Sequence, residues 1–251
     1  MNTRGKWQGM MTIARLNWPF YVAAALVLIG SGCVFIALPW REVRLVSGLA
    51  FAGSAYFLFG SLGVSHQVYD RSDLYRWHWL QRALGGAVRG QFIFCHSGFD
   101  EASCSLRERL GDVGWLVLDH FDERRMTEAS IRRARRMFPP VTGTLPANSD
   151  QWPVASKSAD VIFGLLAIHE LRSENERSAW FAEALRCLRQ DGRVVLVEHA
   201  RDLANFLAFG PGFLHFHSPA SWRRCWEHAG LRALDEFRLT PWLRVFVIGL
   251  P

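Results

Sequence analysis

Two pairs of side chains that can exchange protons each follow directly on an apolar run of this sequence. The first pair is His169 and Glu170, and the second is Glu198 and His199. A histidine can accept a proton from a hydroxyl group near neutral pH, and a neighbouring carboxylate can orient its ring. We therefore interpret these four residues as candidate catalytic residues.

The same residues also allow purely structural interpretations. The first pair could cap the end of a strand by binding backbone amides. The second pair, with Arg201 and Asp202, could form a charge-paired network at the rim of a pocket. Two histidines and several carboxylates could also bind a divalent metal ion. Because their spacing is not typical of a metal motif, we expect no metal site.

The elements around the two pairs are a predicted strand, a helix and a second strand. Residues 160–168 and 193–197 are apolar runs typical of buried parallel strands. Between them, apolar residues three and four positions apart predict a helix that ends at a turn with Gly192 in the left-handed conformation. Ligands bind outside the carboxyl ends of the strands in such sheets, so we expect both pairs at the ligand-binding edge.

Strands and helices alternate throughout residues 91–251. The last two predicted strands meet at a turn containing Pro241 and should form an antiparallel hairpin. This order predicts an α/β fold, a doubly wound Rossmann-like sheet with a C-terminal antiparallel hairpin. The predicted helices outside the central unit are residues 101–110, 127–137 and 219–229, and the predicted strands are residues 91–95, 114–118, 141–145, 231–239 and 243–250.

Two long uncharged stretches precede this domain. Residues 16–40 and 45–69 carry no charged side chain, and each exceeds the roughly 20 residues that a helix needs to cross a bilayer. With the short link between them they predict a transmembrane helical hairpin across residues 16–69, although two buried helices of a soluble domain remain an alternative. We expect a cytoplasmic tail before the hairpin, residues 1–15, and an amphipathic linker helix after it, residues 70–90.

Charge and cysteine usage suggest where the chain works. Cations lie mainly on the outer flanks of the hairpin, which predicts a bacterial-type inner membrane with the soluble domain facing the cytoplasm. The net charge of +6 fits an anionic bilayer as partner. The sequence contains no recognisable nucleic-acid-binding module, so we expect no nucleic-acid partner. Five scattered cysteines without a CxxC motif favour a reducing compartment.

One segment of the soluble domain is unusually apolar. Residues 205–217 contain four phenylalanines and two leucines around a Gly-Pro-Gly turn. A loop this apolar should be buried in something. It could belong to the core of its own domain, cover a lipid-like substrate as a lid, or dip into the bilayer beside the hairpin.

The central unit resembles a known family. Residues 158–162, SADVI, and 183–198, EALRCLRQDGRVVLVE, are similar to the "fDvv … E..RvLkpgG.l.i.e" signature of the class I S-adenosylmethionine-dependent methyltransferases. The resemblance extends over roughly residues 92–249. It implies the fold given above, S-adenosylmethionine as cofactor, and methyl transfer as the reaction.

The resemblance also implies roles for particular residues. Asp119, after the second strand, would accept hydrogen bonds from the ribose hydroxyls, and Asn148 and Ser149 would lie beside the adenine. His96 and Gly98 lie in the loop that holds the methionine part in the family. Here that loop reads HSGFD and has one of the usual glycines.

Two functions follow from these observations. The first is a membrane-anchored methyltransferase acting on a hydrophobic, quinone- or lipid-like acceptor, with His169 or Glu198 as base. The second is a catalytically inactive methyltransferase-like subunit that binds or assembles partners at the membrane. Either function is compatible with a membrane protein partner or a homo-oligomer.

Overall fold

The chain folds into two compact units. The computed structural model describes residues 4–86, 90–111 and 114–251. The first unit comprises Met1–Ser72 together with Leu203–Phe213, and the second comprises Asp73–Asp202 and Leu214–Pro251. The division after Ser72 differs from the sequence-based boundary at residue 90, and the return of a later segment to the first unit was not predicted.

The first unit consists of helices. In chain order they are α1 (Gln8–Leu16), α2 (Trp18–Ala37), α3 (Arg41–His66), a π-helical turn (Gln67–Arg71) and, much later, α8 (Leu203–Phe209). None of the residues of α2 is buried in the protein. By length and composition, α2 and the helical stretch Arg41–Arg71 are able to cross a bilayer.

The structure corrects two details of the predicted hairpin. The expected tail, residues 1–15, contains most of α1. The expected link, residues 41–44, forms the first turn of α3 instead, and the two long helices are joined by Leu38, Pro39 and Trp40. Leu38 is extended because a residue before proline disfavours the helical conformation.

A distant carboxylate caps the first helix. Asp70 accepts hydrogen bonds from the backbone N–H groups of Gly9, at 2.6 Å, and Met10, at 3.0 Å. These N–H groups lie in the first turn of α1, where no partner exists within the helix. His66 Nδ1 lies 2.9 Å from the same carboxylate. The π-helical turn therefore presents Asp70 to α1 and holds the N-terminal end of that helix.

The described part of the predicted linker, residues 70–86 and 90, does not form a single amphipathic helix. After the π-helical turn the chain becomes extended at Ser72, and among residues 73–86 only those of α4 (Leu80–Leu84) are helical. Trp77 and Trp79 are each 5% exposed. Burial of such large rings stabilises the second unit, so this segment is part of a core.

The second unit contains the predicted sheet. Seven strands lie in the order β3-β2-β1-β4-β5-β7-β6. The first five in this order are parallel, and β7 is antiparallel to both β5 and β6. This arrangement confirms the predicted fold class and its closing hairpin. The strands are β1 (Phe92–His96), β2 (Trp115–Asp119), β3 (Leu145–Pro146), β4 (Ala159–Leu165), β5 (Leu188–His199), β6 (Arg232–Thr240) and β7 (Leu243–Gly249).

The third strand is shorter than predicted. It covers Leu145 and Pro146, whereas the sequence indicated residues 141–145. A proline has no N–H to donate to a strand ladder and is confined to edge positions. β3 pairs with β2 through Leu118 and Asp119 alone, so it forms a minimal edge of the sheet.

Helices cover the sheet. They are α5 (Ser103–Leu110), α6 (Ala129–Met137), α7 (Glu174–Cys187) and α9 (Pro219–His228). A capping box formed by Ser173 and Glu176 begins α7, which satisfies backbone donors that the helix leaves free.

Gly192 does not end α7 as predicted. The helix stops at Cys187, the next residue is extended, and Gly192 lies inside β5. A Cβ atom at Gly192 would come within 3.0 Å of the carbonyl oxygen of Ala159. The glycine is needed because β5 approaches β4 closely there, and the helix ends without it.

Candidate functional site

A histidine and a glutamate meet where β4 and β5 end side by side. His169 lies in the single 3-10 turn Ile168–Glu170 that follows β4, and Glu198 is the residue before the last one of β5. His169 Nδ1 lies 2.6 Å from Glu198 Oε2. Glu198 is completely buried, whereas the His169 side chain is 11% exposed. The pair therefore has one buried member and one that reaches the surface.

The second oxygen of Glu198 organises the turn that carries the histidine. Glu198 Oε1 accepts hydrogen bonds from the backbone N–H groups of Ala167, Ile168 and His169, at 3.2, 2.9 and 3.2 Å. A carboxylate that binds successive N–H groups fixes the backbone around them. Glu198 thus sets the position of the His169 backbone and the orientation of its ring. The proposed capping of a strand end is present, but Glu198 performs it.

Glu170 and two residues that the sequence did not indicate complete the cluster. Glu170 Oε1 lies 3.8 Å from His169 Nε2 and 3.5 Å from His215 Nε2. His215 Nδ1 lies 3.2 Å from Glu128 Oε1. His215 belongs to the apolar segment 205–217, and Glu128 precedes α6. Neither residue lies in a recognisable motif, and only folding brings them to this edge.

The charges of this cluster depend on one another. Burial acts to lower the pKa of His215, but the Glu128 and Glu170 carboxylates outweigh it and raise that pKa to about 9. Burial acts to raise the pKa of Glu170, yet His215 and His169 hold it below its ordinary value. Without another ligand, an imidazolium between two carboxylates is the stable form.

His199 does not join the other three predicted catalytic residues. Its ring stacks on Phe216 with the ring centroids 4.8 Å apart, and its Nδ1 lies 3.1 Å from the carbonyl oxygen of Trp242. Successive residues of a strand point to opposite faces, so Glu198 and His199 separate. Asp202 pairs with Arg238, and Arg201 donates to the carbonyl oxygens of Phe216 and Leu214.

A cleft lies beside the carboxyl ends of β2 and β3. Its volume is about 440 Å³, and it contains two of the five residues predicted to bind the cofactor, Asp119 and Asn148. Ser149 does not line it. The lining residues are Asp119, His120, Phe121, Asp122, Pro146, Ala147, Asn148, Gln151, Trp152 and Pro153.

His120 lines this cleft, and two hydrogen bonds hold its ring. Its Nδ1 lies 2.9 Å from the carbonyl oxygen of Ala147, and Trp180 Nε1 donates to its Nε2 at 3.1 Å. Complete burial lowers the pKa of His120 to about 4, against a smaller upward effect of the hydrogen bond that its ring donates to the carbonyl oxygen of Ala147. A neutral ring therefore ties the loop after β3 to α7.

Protein groups already bind the carboxylate of Asp119. Its Oδ1 accepts hydrogen bonds from the N–H groups of Gly98, at 2.9 Å, and Phe121, at 3.0 Å. Its Oδ2 pairs with the Arg135 guanidinium. Asp119 is 5% exposed. In this arrangement a ribose could reach Asp119 only if Arg135 turned away.

An aromatic ring covers the glycine of the loop after β1. Gly98 has a φ of +86°, and a Cβ atom there would lie 2.7 Å from the Phe121 ring. The Arg135 guanidinium lies 5.1 Å from the centroid of the same ring. His96 is 1% exposed, and burial lowers its pKa. The cleft is open at Asn148, whereas Arg135 occupies the carboxylate expected to bind the ribose and Phe121 occupies the space over Gly98 expected to receive the methionine part.

Known proteins resemble this chain in fold but not in sequence. No family model and no curated protein matches the sequence. Two examples from the many solved structures with similar folds illustrate the likeness. One is the complex between the Haloferax volcanii Trm112 methyltransferase activator and the putative methyltransferase, with 15% identity and a TM-score of 0.50 over 71% of this chain and 90% of that chain.

The other is a SAM-dependent methyltransferase from Aquifex aeolicus. It has 12% identity and a TM-score of 0.51 over 70% of this chain and 90% of that chain. At such identities the likeness concerns the fold. The chain has the fold of the S-adenosylmethionine-dependent methyltransferases.

Proposed function

We propose that this chain is an S-adenosylmethionine-dependent methyltransferase, anchored in a membrane, that acts on a hydrophobic acceptor. One arrangement carries the proposal. A nucleoside-sized cleft contains Asp119 and Asn148 at the ends of β2 and β3, and the His169–Glu198 pair lies at the ends of β4 and β5 of the same sheet. Ligands of doubly wound sheets bind at this edge.

The residues of the cleft would hold the nucleoside. Asp119 would accept hydrogen bonds from the ribose hydroxyls once Arg135, whose side chain is 31% exposed, turns toward solvent. Asn148 would lie beside the adenine. Phe121 would have to leave Gly98 before the methionine part could enter. When bound, the cofactor supplies an electrophilic methyl group.

His169 would remove a proton from the acceptor. Its Nδ1 is held by Glu198, so Nε2 is the nitrogen available to take the proton of an acceptor hydroxyl. Glu198 would act by orienting the ring and by favouring the protonated form that results. Methyl transfer is an in-line displacement, so most of the remaining acceleration would come from holding the two partners in line.

The first unit supports a membrane-bound acceptor. Its two long apolar helices are suited to span a bilayer. Leu203, Phe206 and Leu207 of α8 are exposed large apolar side chains, which suits a surface facing lipid. We place the unit in a bacterial-type inner membrane with the enzyme on the cytoplasmic face. The acceptor would be a quinone- or lipid-like molecule that arrives from the bilayer.

A protein partner belongs to the proposal too. The Haloferax volcanii neighbour is part of a complex with an activator protein. A membrane protein or a second copy of this chain could play a comparable part here.

A second function is favoured by one observation. Phe121 covers Gly98, and Asp119 is bound by three protein groups. If this arrangement is permanent, the chain is an inactive methyltransferase-like subunit that binds or assembles partners at the membrane.

Calorimetric titration of the full chain in lipid nanodiscs separates the two functions. The wild type should bind S-adenosylmethionine, and Asp119→Asn should bind it at least about tenfold more weakly because the ribose loses a full carboxylate. Phe121→Ala should bind more tightly because it clears the space over Gly98. Asp150→Asn, an exposed neighbour of the cleft, serves as the matched control and should bind like the wild type.

The enzyme proposal would be overturned if neither the wild type nor Phe121→Ala released heat or gained thermal stability on addition of the cofactor. Binding that is unchanged in Asp119→Asn would contradict the placement of the ribose.

A further inference from the structure

Three side-chain atoms converge at the edge of the sheet in a way that proton transfer does not require. They belong to His169, Glu170 and His215, each of which offers one atom, and the three atoms lie within 4.8 Å of one another. Glu170 Oε1 is 3.8 Å from His169 Nε2 and 3.5 Å from His215 Nε2. All three residues are partly buried, so the space between their tips is shielded but reachable.

A carboxylate holds the other nitrogen of each imidazole. Glu198 lies 2.6 Å from His169 Nδ1, and Glu128 lies 3.2 Å from His215 Nδ1. Metal-binding histidines commonly donate their second ring N–H to a carboxylate, which fixes the tautomer and the ring orientation. In this tautomer both Nε2 lone pairs face the space beside Glu170. These two carboxylate–imidazole contacts are a second observation, separate from the convergence of the three ligand atoms.

We propose that His169, Glu170 and His215 bind one divalent transition-metal ion, Zn²⁺ by preference. Two imidazoles and one carboxylate are a donor set that suits zinc. Ligands of a tetrahedral zinc ion are about 3.3 Å apart, given bond lengths of about 2.0–2.1 Å. The distances of 3.5 and 3.8 Å from Glu170 Oε1 to the two nitrogens need only a small contraction, and the two imidazoles, whose ligand atoms lie within 4.8 Å of each other, would also move together on binding. Three protein ligands leave the fourth position open.

The fourth position gives the metal a role that goes beyond the proposed function. The ion would occupy His169 Nε2, which could not then accept a proton. It would instead lower the pKa of a hydroxyl bound at the open position, whose proton would pass to solvent water. The same edge of the sheet would activate the acceptor by metal coordination, and Glu128 and Glu198 would act as positioning residues.

Metal binding to the full chain in detergent tests this inference without any cofactor. The protein is stripped with a chelator and dialysed against Zn²⁺, and bound metal is measured by mass spectrometry. The wild type should bind one ion per chain. Co²⁺ in its place should give the intense visible absorption of a four-coordinate site.

Variants locate the ion. His215→Ala and Glu170→Gln should each weaken Zn²⁺ binding at least about 100-fold, and Glu128→Gln should weaken it about 10–100-fold because it holds a ligand in place. His228→Ala, at an exposed histidine on α9, is the matched control and should bind like the wild type. Circular dichroism of the stripped variants shows whether each remains folded, and Glu128→Gln keeps the test decisive if His215→Ala does not fold.

Absence of stoichiometric metal in the wild type would overturn the inference. So would one ion per chain that persists in both His215→Ala and Glu170→Gln, since the ion would then be bound elsewhere. Neither result bears on cofactor binding, because the calorimetric titration of the stripped protein tests that separately.

Discussion

Glu198 organises the candidate site more than any other single residue. Glu198 could be identified in the sequence because it is the first polar residue after the apolar run of residues 193–197. Its hydrogen bonds to three successive backbone N–H groups were not predictable, because they depend on the path of the turn after β4. The residue chosen as a possible base is better placed as the support of His169.

Glu198→Gln should destabilise the second unit. The glutamine side chain keeps one acceptor oxygen, but its NH2 group replaces the second oxygen and cannot accept a hydrogen bond from the donors that this oxygen binds in the wild type. A buried polar group left without a partner costs about 1–3 kcal/mol, so the midpoint of thermal unfolding, followed by circular dichroism, should fall clearly. The matched control is Glu174→Gln at an exposed ion pair with Arg224.

The control should change little, because exposed ion pairs contribute about 0–1 kcal/mol. If Glu198→Gln unfolds at the same temperature as Glu174→Gln, the buried carboxylate does not support the turn.

At the scale of elements, the apolar segment 205–217 shows where sequence patterns stop being informative. It was expected to be a loop, and its assignment to the core of its own domain was one of three interpretations. The structure forms α8 (Leu203–Phe209) and a 3-10 helix (Gly210–His215), and residues up to Phe213 belong to the first unit. Composition predicted that the segment needs an apolar surface, but it could not indicate which surface.

Other elements were predictable because their signals are local. The two long helices follow from uncharged runs, and β4, α7 and β5 follow from apolar runs and apolar periodicity. The covering of Gly98 by Phe121 could not be predicted, because the two residues come from loops after different strands. His215 was missed for the same reason.

Tyr56→Phe should loosen α8. The Tyr56 hydroxyl donates to the carbonyl oxygen of Leu207 at 2.7 Å, one of the last carbonyls of α8, which have no partner within the helix. Loss of one such hydrogen bond costs about 0.5–1.5 kcal/mol. Hydrogen exchange of the amides of residues 203–213, measured by mass spectrometry in nanodiscs, should therefore become up to about tenfold faster.

Tyr75→Phe is the control for this change. Tyr75 donates to Glu101 in the second unit, so its loss should leave exchange of residues 203–213 unaltered. Equal acceleration in both variants, or none in Tyr56→Phe, would mean that the hydroxyl does not hold α8.

At the scale of the whole molecule, we expect stability to fall in mild acid. The pKa of His120 is about 4 in the folded protein and about 6.5 in an unfolded chain. Between these values the unfolded chain binds more protons, so the free energy of unfolding decreases as the pH falls from 6.5 toward 4. The difference of about 2.5 pKa units corresponds to a loss of up to about 3 kcal/mol.

His120→Gln tests the source of this dependence. A glutamine can still accept from Trp180 and donate to the carbonyl of Ala147, but it does not titrate. The variant should be less stable than the wild type at pH 7 and should lose less stability between pH 6.5 and 4, as judged by thermal melting at each pH. His228→Gln should keep the wild-type slope, and an equally steep slope in His120→Gln would refute the assignment.

The late return of the chain to its first unit constrains how the protein is made and handled. The ribosome completes α3 long before it reaches α8, so the flank of α3 that α8 covers stays bare while the entire parallel part of the sheet is synthesised. A shortened chain of residues 73–251 would have the opposite defect, since α8 would remain with no α3 to cover it. The side of α8 that α3 covers would then be exposed in addition to Leu203, Phe206 and Leu207. The larger apolar surface would promote aggregation, and a soluble preparation of the second unit would require polar substitutions on α8.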